Sequence, residues 1–302
     1  MTKINKEEAA QIIENQIIDT LEIKFNGFDF HPIRLIQASK SLIGLNLKQP
    51  NTDLLYFNNF HIKENKNNLI KDTVSIDLKP NEVITVHDIE QALIKGDRKV
   101  ALGMLSQLSL VSSNLHILEC LIEISLKQTG KSFLSIWSLY RSIFFLNQEI
   151  SNSFLSLSAD IILLDTFEDL SHIDSDFNVD IILYDGLSSE FLDLYSHLLE
   201  AYNSDLIRGA QIKSLIKDMV FRKINNIKLD KFEETNHIDY PDLLNSGRFW
   251  LSEFLSKIDK QKFTIELILF LDSIRCLFRF LDFKKHKFIC LYFQKNIKDF
   301  NV

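Results

Sequence analysis

Glycine and proline are scarce, eight and four in 302 residues, and that scarcity excludes more than any motif establishes. Turn-dense β architectures and glycine-lined nucleotide folds need more of both, so long helices joined by short connections are expected. Cysteine is scarce too. Cys120, Cys276 and Cys290 form an odd set without CxxC spacing, which argues against a disulfide framework or a zinc knuckle and fits a reducing, cytoplasmic setting. An excess of positive charge is also missing. The net charge of −7 argues against general nucleic-acid binding, which demands clustered cations for the phosphate backbone. Finally, no apolar run is unbroken. The most hydrophobic stretch, FTIELILFLDSIRCLFRFLDF at 263–283, is interrupted by Glu266, Asp272, Arg275 and Arg279, a heavy penalty in a bilayer. It reads as a buried helix with no transmembrane role. The N-terminus, MTKINKEEAAQIIENQIIDTL, mixes charged and apolar residues at helical spacing and reads as an amphipathic helix, not a signal peptide.

What is abundant is bulk. Hydrophobic residues make up 46% of the chain, with 24 phenylalanines, and each ring buries roughly 150–250 Å². Charge is distributed unevenly: residues 1–210 carry 17 basic and 29 acidic side chains, residues 211–302 carry 17 and 12. The basic C-terminal third therefore faces an acidic partner, an anionic ligand or the acidic part of its own chain.

Residues 1–84 read as a small N-terminal α/β element. LEIKFNGFDF at 21–30 places Asn26-Gly27 between alternating apolar runs, a strong hairpin signal. NNFHIKENKNNLIKD at 58–72 reads as a loop and TVSIDL at 73–78 as a short strand. Residues 85–302 read as a helical domain. Thr85 is a candidate N-cap, Asp88 suits the first turn and Gly96 suits a stop. Further helices are expected near 97–110, 113–128, 132–148, 151–171, 187–203, 206–225, 240–258, 262–281 and 286–298. The fold class is mainly α, an irregular multi-helix bundle or array with a small N-terminal β-hairpin element. No fixed repeat period holds. ADIILLDT at 159–166 favours helix, whereas VDIILYDG at 179–186, flanked by turn residues, leaves a strand open.

SLKQTGKS at 125–132 approaches a phosphate-binding loop, but that motif needs a preceding strand. His116, Glu119, Glu123 and Lys127 instead recur at steps of three and four, a polar stripe on a helix that reads as a solvated face. Gly130 then ends that helix and Ser132 caps the next.

Three His-x-x-Glu pairs stand out: His87/Glu90, His116/Glu119 and His197/Glu200. A histidine and a carboxylate three apart share a helix face, so both can reach one metal ion. Helical di-iron and di-manganese sites use the reverse order, Glu-x-x-His. The alternative for each pair is structural: a helix start for His87, the polar stripe for His116, and an undecided face for His197. Arg141 lies in the almost wholly apolar IWSLYRSIFFL at 136–146 and needs a carboxylate or an anionic ligand if buried. Arg275 and Arg279 share a face with Asp272, as an internal network or the wall of a pocket. His31, before Pro32, is either a turn residue or projects into a cleft. No nucleophile motif is present.

Two functional expectations follow. The leading one is a non-enzymatic protein-binding or scaffold protein using a helical surface or groove. The other is a metalloenzyme or small-ligand-binding protein with a His/Glu or Arg-lined pocket. A third reading has the basic aromatic tail FKKHKFICLYFQK at 283–295 attach peripherally to an anionic membrane surface.

Overall fold

The computed structural model describes residues 4–29, 31–65, 83–146, 152–170, 177–179, 187–225 and 237–302. It is mainly helical, with no strand among these residues. The helices are α1 (Lys6–Leu21), α2 (Ile33–Ile43), α3 (Thr52–Asn65), α4 (Val86–Ile94), α5 (Arg98–Val111), α6 (Asn114–Ser125) and α7 (Lys131–Leu146). They continue with α8 (Asn152–Leu163), α9 (Ser189–Tyr202), α10 (Gly209–Ile224), α11 (Pro241–Ser246), α12 (Trp250–Lys257), α13 (Ile265–Phe280) and α14 (His286–Asn296).

Local chemistry fixes many of the starts. Asn5 and Thr85 form capping boxes with Glu8 and Asp88, and Asp97, Ser113, Ser188 and Thr264 each accept a hydrogen bond from the third helical N–H. Each cap satisfies a donor that the helix itself leaves open, contributing about 1 kcal/mol. Tertiary burial supplies far more. In α13 the stretch from Leu267 to Phe278 is buried except for Leu269, so the most apolar segment is a central helix enclosed by α2 and α9. In turn, α2 packs on α7, and α6 packs on α7. One hydrophobic core runs from Ala9 to Ile297. No helix among the described residues is long and apolar enough to cross a membrane.

Three expectations need correction. The hairpin at 21–31 does not form. Its first arm is extended, and the alternation holds, since Ile23 and Phe25 are buried and Glu22, Lys24 and Asn26 are not. Pro32 and the immediate start of α2 leave no room for a pairing second arm, so the segment lies against the helices instead. His31 seals it: its Nε2 donates to the Ile23 carbonyl at 3.2 Å while Nδ1 accepts from the Ile33 N–H at 3.3 Å. Second, α3 runs through residues 58–65, where a loop is expected; residues 66–82, and with them the expected strand at 73–78, lie outside the described residues, as does most of 179–186. Third, the turn at 126–130 is built differently. α6 ends at Ser125, and Gly130 opens α7 with φ +104°. The capping group is Asp165, which accepts from the Thr129 hydroxyl and from the Ser132 N–H at 2.9 Å. A carboxylate of the same chain thus occupies the place where an incoming phosphate would sit.

Gly130 also sets the approach of α7 to α9, because a Cβ there would stand 2.8 Å from Leu194 Cδ2. Gly130→Ala combines a left-handed backbone with overpacking and is expected to cost about 1–3 kcal/mol. Urea denaturation checks this; a loss below about 0.5 kcal/mol would show that the turn relaxes freely.

Candidate functional site

Four helices converge on a buried ionic network. α9 contributes Asp193, His197 and Glu200, spaced by four and three so that all face α13. α13 contributes Asp272, Arg275 and Cys276, α7 contributes Trp137 and Arg141, and α2 contributes Arg34, Lys40 and Ser41.

Glu200 is the hub. Its Oε2 receives Arg141 Nη1 at 2.9 Å and Trp137 Nε1 at 3.0 Å, with His197 Nδ1 at 3.5 Å. Arg275 Nη2 lies 3.8 Å from Oε1, while Arg275 Nε bonds Asp272 Oδ1 at 2.5 Å. His197 Nε2 faces Asp193 at 3.4 Å and Asp272 at 3.7 Å. Asp193 is closed off by Arg34 and by the Ser273 hydroxyl, the latter at 3.1 Å. Arg141 extends the network to α2 through Ser41 Oγ at 2.8 Å.

Burial would push the carboxyls of Glu200 and Asp193 up, but the opposing charges prevail. Arg141, His197 and Arg275 hold Glu200 well below the usual carboxylate range, and Arg34 with His197 holds Asp193 at about 2. Burial alone would discharge His197; the facing Asp193, Cys276 and Glu200 win and keep the imidazolium well above its ordinary value. Lys40 is the exception. Burial and the neighbouring Arg141 lower its ammonium to about 7. Its Nζ donates to the Arg141 carbonyl at 3.3 Å and lies 4.7 Å from the centre of the Phe145 ring.

The site has a mouth. A cleft of about 380 Å³ between these helices is lined by Lys40, Trp137, Arg141, Glu200, Asp205 and Arg279, among others. Arg279 stands exposed at its rim against Phe280.

Of the residues singled out in the sequence, Arg141, Arg275, His197 and Glu200 meet in this network, and Arg279 shares the cleft. His31 does not: it is buried under α2, and burial lowers it to about 4 and keeps it neutral. The three His/Glu pairs have separate partners. His87 is exposed and Glu90 pairs with Lys127 at 2.7 Å. His116 meets Ser112 at 2.8 Å and Arg208 at 3.3 Å. Nor is the stripe at 116–127 a solvated face, because Glu119 and Glu123 are 1% and 4% exposed. Glu119 accepts the backbone N–H groups of Ile207 and Arg208 at 3.0 and 2.6 Å, and Glu123 grips the Arg208 guanidinium. Their partner lies 85 residues or more downstream, beyond the reach of any local pattern. Arg34 and Lys40 belong to α2, a helix the sequence reading does not include, and the spacing of Arg34, Gln37 and Ser41 along one helical face is the available signal; Asp193 lies on the expected α9, but its partner Arg34 is on α2.

His197, Glu200 and Cys276 bring one nitrogen, one oxygen and one sulfur within 4.8 Å of one another, a donor set a metal ion can use. Their present chemistry favours ion pairing. A divalent cation would have to strip the protons of His197 and Cys276, whose thiol burial already pushes up, beside two guanidiniums. Cys276 Sγ instead donates to the Ser196 carbonyl at 3.1 Å. Comparison with family models, with curated proteins and with solved structures finds no match for this chain, so any functional reading stands on the geometry above.

Proposed function

We propose that the chain binds a small anionic molecule in the cleft between α2, α7, α9 and α13. One observation carries this reading: three carboxylates, Asp193, Glu200 and Asp272, face Arg34, Arg141, Arg275, His197 and Lys40, with Arg279 at the mouth. The cleft itself is lined by three cationic side chains, Lys40, Arg141 and Arg279, against two carboxylates, Glu200 and Asp205. Buried charge is stable when compensated, and an anion entering the cleft supplies what the chain does not. Arginine suits the task, since its planar fork meets a carboxylate or phosphate with two parallel hydrogen bonds.

The test is thermal stability in inorganic phosphate, pyruvate and citrate against potassium chloride at equal ionic strength. A ligand at one hundred times its Kd stabilises by about 2.7 kcal/mol. At least one of these anions is expected to raise Tm beyond the chloride control, and Arg279→Gln, at an exposed position that leaves the core intact, is expected to weaken binding about tenfold. Equal behaviour of all salts would remove the proposal.

A protein-docking surface is the second reading, supported by Tyr56 and Phe60, one turn apart on α3 and 64% and 56% exposed. A partner lost with the Tyr56→Ala/Phe60→Ala double variant but retained by Arg279→Gln would favour it. The basic tail at 283–295 offers less to a membrane: Ile289, Leu291, Tyr292 and Phe293 point into the core, and Phe283 is left exposed beside Lys284 and Lys285.

A further inference from the structure

We infer that Lys40 is a nucleophile that condenses with the carbonyl of a small oxo acid, a molecule bearing an aldehyde or ketone beside a carboxylate. This rests on the anion-binding reading of the same cleft and adds the chemical class of the ligand.

The geometry supplies each requirement. Lys40 lines the cleft beside Arg141 and Arg279. No carboxylate stands within ion-pairing distance of Nζ among the described residues; its hydrogen bond goes to a backbone carbonyl. Charged groups on three helices act on it, Arg141 from α7, Glu200 from α9, and Asp272 and Arg275 from α13, and Asp205 and Arg279 line the same cleft. Arg141 and Arg275, with burial, favour the uncharged amine; Glu200 and Asp272 oppose them, and the balance places the ammonium at about 7. A lysine desolvated next to other cations is activated in this way, because only the neutral amine has a lone pair to donate. Arg141 and Arg279 flank the same space and are placed to hold the carboxylate while the carbonyl meets Nζ.

The step balances without oxidant or reductant. The Nζ lone pair forms a C–N bond as the carbonyl π bond breaks towards oxygen, giving a carbinolamine. Two hydrogens from nitrogen and the former carbonyl oxygen then leave as one water, and a C=N bond remains.

The experiment uses the full chain, glyoxylate as probe and cyanoborohydride to trap the imine, read by intact mass and peptide mapping. One adduct per chain, on the peptide carrying Lys40, is expected at a rate about tenfold or more above that of surface lysines. Trapping at Lys40 should level off above a pH midpoint near 7, while surface lysines go on gaining reactivity into the alkaline range. Lys40→Arg keeps a cation but should remove the preferred adduct, and Arg279→Gln should slow trapping at Lys40 several-fold. Labelling spread evenly over the lysines, or an undiminished rate in Lys40→Arg, would overturn the inference. Parallel calorimetry with pyruvate and lactate separates the two proposals. If both anions bind in an Arg279-dependent way but no adduct forms at Lys40, the nucleophile fails and the anion site stands; if neither binds, the nucleophile fails, and the anion site fails with it when phosphate and citrate also behave as chloride does.

Discussion

Glu200→Ala should lower the stability of the folded chain by about 3–5 kcal/mol, because it leaves charges buried without their partner. One hydrogen bond, from Trp137, and three positive groups, Arg141, His197 and, more distantly, Arg275, meet at this one carboxylate. Asp272 still holds Arg275 and Asp193 still faces His197, but Arg141 keeps only a hydroxyl. Such a loss is a large part of the 5–15 kcal/mol that holds a typical domain together. Urea denaturation at pH 7 measures it, and a loss under about 1 kcal/mol would show that the network does not depend on its hub. The pH dependence has a definite sign. Glu200 and Asp193 are depressed from 4.5 and 3.8, so their contribution is complete above those values and is lost as pH falls through the folded ones. His197 is raised, so its contribution is complete below 6.5 and is lost as pH rises through its folded value. In Glu200→Ala both arms should flatten, the acid one most.

Lys40→Met is expected to act the other way. The wild-type amine falls from 10.5 to about 7 on folding, so the unfolded chain holds its proton more tightly than the folded one. Below pH 7 both states are protonated and the folded state bears the whole cost of an ammonium that is buried and next to Arg141 and Arg275. Between 7 and 10.5 that cost shrinks, and above 10.5 it is gone. Lys40→Met should therefore stabilise the protein by on the order of 2–4 kcal/mol at pH 6, and the gain should vanish near pH 11. Denaturation curves at pH 6, 8 and 10.5 decide the matter; a gain that does not depend on pH would mean that packing, not charge, is responsible. A position where the native residue lowers stability is one where function is the better explanation for its presence.

From residue 85 onward the chain is legible in its sequence because its helices announce themselves twice, by period and by cap. Thr85, Asp97, Ser113, Ser188 and Thr264 all stand at the starts that pattern implies. The first part failed where local signals competed. Asn26-Gly27 promises a hairpin, yet no strand forms among the described residues there, and Ile23 and Phe25 are buried in the core that the helices share. The asparagines and lysines of α3 look like a loop, yet Asn58 is buried, bonding Ser39 and Gln16 at 2.9 and 3.1 Å. At the site, Arg141 betrayed itself as a charge within an apolar helix, whereas Lys40 and Asp193 depend on partners in other helices and left no trace in their neighbours.

The position of α2 between α7 and α13 has a temporal consequence. Roughly 220 residues separate α2 from α13, and at about 5–20 residues per second of synthesis the first waits tens of seconds for the second. Throughout that interval α1, α3 and α7 can cover part of α2, but the part that packs on α13 has no permanent cover. Chains still on the ribosome are thus natural clients for holding chaperones, and late closure should make refolding slow compared with small helical bundles whose neighbours in space are also neighbours in sequence.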